Sequence, residues 1–307
     1  MKTQTKFLLS LTFTILTITS CVPNEITTRT PSVFNGNRAF EDVEFQVSLG
    51  PRIPGSEGHS KEIEWIKEEL QSYGWDTEEQ NIDYGGQKIQ NVIGKYGEGE
   101  PWIILGAHYD TRIQSDQELN PENWSLPVPG ANDGASGVAV LLELARIVPA
   151  YFEYDNSSGK SLNAGQIWLV FFDAEDNGRI LGRDWAMGSQ AFVQELLISD
   201  EFPKSVVIVD MIGDADLNIC QEGFSDTEIL ADLWSEAEKL GYESHFMIGS
   251  DCYIRDDHTA FINAGIPTAL LIDFDYPYWH TTEDTIDKVS AKSLQVVGQT
   301  LLEWLTD

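Results

Sequence analysis

The sequence predicts a single mixed α/β domain, a mostly parallel central sheet with helices on both faces. Three observations point there. Four short, nearly continuous apolar runs (residues 102–106, 167–172, 205–211 and 268–272) have the length and composition of strands buried on both sides. Segments with apolar residues at helical spacing lie between them. No linker and no internal repeat interrupts the alternation.

Taken in order, the chain opens with a segment that does not belong to the fold. Lys2 and Lys6 precede an apolar, threonine-rich stretch at 7–18 that is too short to span a bilayer stably. Ile18-Thr19-Ser20-Cys21 follows and resembles a bacterial lipoprotein signal, cleaved and lipidated at Cys21. The expectation is an exported protein, lipid-anchored outside the cytoplasmic membrane or in the periplasm, with membrane contact only through Cys21. Residues 21–38 read as a polar tether and 39–307 as one catalytic domain.

Within that domain the first helix is expected at 59–73, with Ile63, Ile66, Leu70 and Tyr73 on one face and Gly74 ending it. Antiparallel strands are expected at 75–82 and 91–96, flanking the parallel ones. Further helices fit 136–148 and 189–198. Another opens with a capping box at Ser225 and Glu228, and the last covers about 291–305. Glu57, Glu62, Glu64, Glu68 and Glu69 read as a solvated face of the first helix. Cys220 and Cys252 could pair in an oxidising compartment or remain two thiols, and their spacing does not decide.

Composition removes some functions. The 307 residues carry 50 Asp and Glu against 19 Lys and Arg, a net charge of −31. Nucleic-acid binding needs clustered cations, so it is excluded, and charge-driven docking on anionic lipid is disfavoured.

The chemistry gathers where the strands end. Ligands in open α/β sheets bind beyond the carboxyl ends of the strands. After the 102–106 run comes His108-Tyr109-Asp110, and after 167–172 comes Asp173-Ala174-Glu175-Asp176. Asp210 ends the third run, Trp279-His280 follows the fourth, and Asp133 sits at a loop-to-helix entry in the 130–137 segment. Carboxylates and imidazoles crowded on one edge are costly to bury unless a cation balances them. A histidine and carboxylate donor set without cysteine suits zinc at a catalytic centre.

These residues resemble the zinc aminopeptidase superfamily, which also contains the animal-type glutaminyl cyclases. The likeness runs from Gly50-Pro51-Arg52 almost to the C-terminus, through 108–110, 130–137, 171–176, 210–213, Asp256-Asp257-His258 and Trp279-His280-Thr281. It implies a zinc aminopeptidase-like α/β/α sandwich. It also implies one zinc on Asp133, Asp176 and His280, with Glu175 as the acid/base residue. His108 and Asp210 match the second-zinc positions of two-metal peptidases, Asp133 then bridging. Asp210 and Asp256 match the acidic network around the cyclases' proton-relay glutamate.

Three departures from the peptidase pattern favour the cyclase, with one zinc and N-terminal glutamine of peptides or proteins as substrate. Glu175-Asp176 stands where the peptidases usually have Glu-Glu. Residues 177–187 intervene before Gly188-Ser189. Trp279 directly precedes His280, and Asp256 precedes Asp257-His258. An indole there would wall a compact pocket for the glutaminyl side chain. The alternative is a two-zinc aminopeptidase. A third reading, an anchored binding protein with a degenerate site, is opposed by the presence of both Glu175 and His280. Trp65, Trp75 and Trp234 read as packing, whereas Trp124 and Trp185 fall in loops near the active edge.

Overall fold

The computed structural model describes residues 33–153, 162–199 and 201–306. The expected signal, Cys21 and the tether as far as residue 32 lie outside the described residues. The folded unit begins before the expected boundary at 39. Helix α1 (Gly36–Ser48) starts at Asn35, whose side chain accepts the Asn37 N–H. Phe34, 2% exposed, packs on Gly298, where a Cβ would come within 2.1 Å of the ring. This helix buries Gly36, Ala39, Val43 and Gln46, a stripe of small and polar side chains too weak to read as an apolar face.

The segment expected as the first helix is therefore the second, α2 (Glu57–Ser72), capped by Ser56 on the His59 N–H. Its Glu62 is a correction. It is fully buried and paired with buried Arg52 at 3.0 Å, so it belongs to the interior and not to the solvated face. The hairpin β1 (Asp76–Tyr84) and β2 (Gln87–Gly97) turns on Gly85-Gly86, whose φ values of 57° and 79° match a two-residue turn. Then come β3 (Trp102–His108), α3 (Ala135–Glu153), β4 (Gln166–Phe172), α4 (Met187–Ser199) and β5 (Ser205–Asp210). The chain continues with β6 (Ile219–Glu222), α5 (Thr227–Lys239), β7 (Phe246–Cys252), α6 (His258–Asn263), β8 (Thr268–Ile272) and α7 (Ala291–Thr306).

Six strands form one sheet in the order β1-β2-β4-β3-β5-β8. Strands β4, β3, β5 and β8 run parallel, and the β1–β2 hairpin joins β4 antiparallel. Alternate residues of each buried strand feed two cores. Ile103, Leu105, Leu169, Val207 and Leu271 meet α1, α2, α3, α5 and α7, while Ile104, Val170, Ile208 and Leu270 meet α4 and α6. Helix α3 is apolar and long enough to cross a bilayer, but it lies 78% buried in the first of these cores.

Two further findings were not legible. β6 and β7 form a separate parallel pair, and the Cys220–Cys252 disulfide joins them with Cα atoms 6.0 Å apart. The cap of α5 is Asp226, which accepts the Glu228 and Ile229 N–H groups. The expected capping Ser225 instead donates to Glu222.

Candidate active site

Every parallel strand of the sheet delivers a polar group to one edge. His108 ends β3, Glu175 and Asp176 follow β4, Asp210 ends β5, and His280 follows β8. Asp133 arrives from the entry to α3, where Gly134 lies against His108; a Cβ there would stand 2.4 Å from the His108 carbonyl oxygen. Three non-glycine residues at this edge adopt left-handed backbone: Ala174 (φ 53°) before Glu175, Met211 (φ 48°) after Asp210, and His280 itself (φ 54°). Such conformations persist only where the surroundings hold them, and they concentrate at functional sites.

The expected ligands converge in two groups that share Asp133. Asp133, Asp176 and His280 each offer an atom within 4.8 Å of the others, as do His108, Asp133 and Asp210. His280 Nε2 lies 2.8 Å from Asp176 and 3.8 Å from Asp133. His108 Nε2 lies 3.1 Å from both Asp133 and Asp210. All five residues are buried. The Oδ2 of Asp176 and the Nδ1 of His108 are buried without a hydrogen-bond partner, which is costly unless something else satisfies them. A divalent cation fits this donor chemistry, and zinc suits its imidazole and carboxylate mixture.

Burial sets the protonation pattern. It pushes Glu175 well above the ordinary carboxylate range, with His108 opposing and the charges of Asp256 and Asp176 adding. Burial and then Asp210 and Asp257 raise Asp256 likewise. Burial and the Asp133 charge bring Asp176 to about 6. Burial would lower His280, but Asp176 and Asp116 carry it to about 9. The imidazole proton thus occupies the place between carboxylates that a cation would take.

A ring of positioning groups surrounds these residues; the sequence reading placed Asp110 at this edge without a role and missed Asp116 and Asp284. Asp110 accepts the backbone N–H of Glu175 at 2.9 Å and the side-chain amide of Asn177 at 3.0 Å, fixing the acidic turn. Asp284 accepts the N–H groups of Asn132 and Asp133 and the Tyr276 hydroxyl. Asp116 faces His280 Nδ1 at 3.3 Å and is gripped twice by Arg112, which also donates to the Asp176 carbonyl. Asp116 sits in an aperiodic loop of a chain rich in acids, so no pattern singles it out. Asp173, from the same run as Glu175, turns away to His59 at 2.8 Å.

A cavity of about 300 Å³ opens over these residues. Trp279 and Trp185 both line it and stack on His280, with centroids 3.9 Å and 5.9 Å away. Tyr253, Ile254 and Phe274 complete an apolar wall. The other flagged indole, Trp124, is 48% exposed, donates to the Glu118 carbonyl and does not line the cavity.

The model of Peptidase family M28 matches residues 91–305, so the chain belongs to that family and is an enzyme of its superfamily. Among curated relatives, the glutaminyl-peptide cyclotransferase of Boiga irregularis is 27% identical, covering 95% of this chain and 86% of its own. A glutaminyl cyclase structure from Bacteroides thetaiotaomicron, bound to N-acetylhistamine, superposes with TM-score 0.80 and 31% identity over 90% of this chain and 99% of that one. A Zn-dependent exopeptidase from Parabacteroides distasonis superposes with TM-score 0.81 and 28% identity over 91% of this chain and 100% of that one.

Proposed function

We propose that this member of peptidase family M28 is a zinc-dependent glutaminyl-peptide cyclotransferase. It would convert N-terminal glutamine of peptides and proteins to pyroglutamate and release ammonia. One observation carries the choice: Asp210, which would complete a second ligand set, stands close enough to the buried Asp256 carboxyl to raise it, and Asp256 in turn raises Glu175. That arrangement suits a proton-relay network better than a second ligand shell. The similarity to cyclotransferases across most of the chain supports the same reading.

Asp133, Asp176 and His280 would hold the zinc. When bound, it supplies Lewis acidity that polarises the substrate's γ-amide carbonyl. The residues of the chain do the rest. Trp185 and Trp279 wall the side chain into a compact shape, with its α-amine facing the carboxylates. Glu175 takes a proton from the α-amine as the new N–C bond forms at the γ-amide carbon. It returns that proton to the amide nitrogen, which leaves as ammonia when the old C–N bond breaks. The charge of Asp256, itself raised by Asp210, helps set the affinity of Glu175 for that proton.

A second reading, two-zinc removal of N-terminal residues, is favoured by the geometry of His108, Asp133 and Asp210, which offers donors for another ion. One experiment separates them. Peptides beginning with Gln, Leu or Ala are incubated with the enzyme, and products, ammonia and bound zinc are measured together. The expected result is loss of one ammonia from the Gln peptide alone, with about one zinc per chain. Release of free Leu or Ala, with about two zincs, overturns the cyclase reading.

A further inference from the structure

The arginines among the described residues divide into two sets. Arg38, Arg52, Arg112 and Arg146 each pair with a carboxylate. Arg179, Arg183 and Arg255 form no ion pair among the described residues, although the chain holds 50 Asp and Glu. All three sit at one place. Arg179 and Arg255 line the cavity over the carboxylates, and Arg183 closes the turn that carries Arg179.

Neither lining arginine is on a loose segment. The Arg179 N–H donates to the Arg183 carbonyl at 2.9 Å, and Arg179 is held with φ at 63°. The turn rests on Trp185, which a Cβ at Gly178 would meet at 2.1 Å. Asn177 ties its start to Asp110. Arg255 lies between Ile254, whose N–H donates to Glu222, and Asp256 in the carboxylate network. Both side chains are exposed at the mouth while their backbones are anchored to the site.

We propose that Arg179 and Arg255 form a carboxylate-recognising rim. The floor, rich in carboxylates, faces the substrate's α-amine, and the rim faces an anionic group further along the peptide. The anion is either an acidic side chain after the N-terminal residue or the free C-terminal carboxylate of a short peptide. Guanidinium groups suit both, because their paired N–H donors match a carboxylate. The inference rests on the reading that the cavity takes peptide N-termini, and it goes beyond it by naming the group recognised past the first residue.

The test compares kcat/KM for Gln-Glu-Ala-amide, Gln-Gln-Ala-amide and Gln-Lys-Ala-amide, and for Gln-Ala as free acid and as amide. Enzymes are the unaltered protein, Arg179→Ala, Arg255→Ala, the double variant and Arg255→Lys. For a side-chain anion, the Glu peptide is expected to exceed the Gln peptide by about 5- to 20-fold, with the Lys peptide lowest. For a terminal anion, the free acid is expected to exceed the amide by a similar factor. Either ratio falls toward one in the double variant and is partly kept in Arg255→Lys. Ratios within about twofold throughout, or a preference surviving in the double variant, overturn the rim. Parallel Leu-Glu-Ala-amide and Leu-Gln-Ala-amide peptides keep the two readings apart. Leucine release without ammonia overturns the cyclisation reading, while the Glu-to-Gln ratio still judges the rim. Absence of both products overturns the two together.

Discussion

The two buried imidazoles at the sheet edge are held in different ways. His280 is backed by Asp116 on Nδ1, stacked on both Trp185 and Trp279, and faces Asp176 at 2.8 Å. A ligand whose second ring nitrogen is held and whose ring is stacked on neighbours is preorganised. His108 has no stacking partner among the described residues. Its Nδ1 is buried without a hydrogen bond, with Asp110 at 3.6 Å, and its Asp210 neighbour is engaged by Asp256. The difference teaches that similar donor sets need not bind equally. The His280 group has the build of a tight ion site, and the His108 group that of an electrostatic and proton-handling surround.

Two substitutions break this comparison most strongly. His280→Ala is expected to lower turnover by roughly 10³-fold or more and to leave the purified protein without stoichiometric zinc. His108→Ala is expected to keep about one zinc per chain and to cost roughly tenfold or less. Zinc analysis and turnover on a Gln peptide check both. If His108→Ala halves the zinc and matches His280→Ala in activity, the two groups are equivalent and the asymmetry is wrong.

The support behind His280 sharpens the point at smaller scale. Asp116→Asn removes the charge that faces Nδ1 and loosens the Arg112 grip that also reaches the Asp176 carbonyl. Zinc affinity is expected to fall by about 10- to 100-fold, with near-normal turnover once zinc saturates the site. A chelator competition titration reads the affinity. Equal competition in both proteins would mean that the ring is oriented by the two indoles alone.

How far this was readable in the sequence depends on the range over which each feature acts. Strands such as β3, β5 and β8 are local apolar runs, and their ends carry His108, Asp210 and the approach to His280, so fold and donor residues came together. Asp116 and Asp284 act through long-range contacts, such as Asp284 to Asn132 across 152 positions, and carry no periodic signal. The same holds for Glu62, whose acidic neighbours suggest solvent although Arg52 stands beside it in the interior. Helix α1 failed for a different reason: its packing depends on Gly36, Ala39 and Gly298 being small, and close approach leaves little hydrophobic pattern.

The smallest expected effect leaves turnover of the loaded enzyme untouched and shows in stability alone. His280 rises from an ordinary 6.5 to about 9 when folded without a cation, because burial is outweighed by Asp176 and Asp116. A histidine with a raised folded pKa adds stability that is complete below about 6.5 and is lost as pH climbs through about 9. His280 alone should therefore cost the zinc-free protein up to about 3 kcal/mol across that window, with the raised His108, Glu175 and Asp256 acting in the same direction. In the loaded protein His280 gives its lone pair to the ion and does not titrate there. The gap in Tm between loaded and zinc-free protein should widen from pH 6.5 to 9, by several degrees at most. Asp176, raised to about 6, finishes titrating near the bottom of this window and adds little within it. A gap that stays constant over that range would show that His280 is not the proton-holding partner of Asp176, and the preorganised build assigned to its group would go with it.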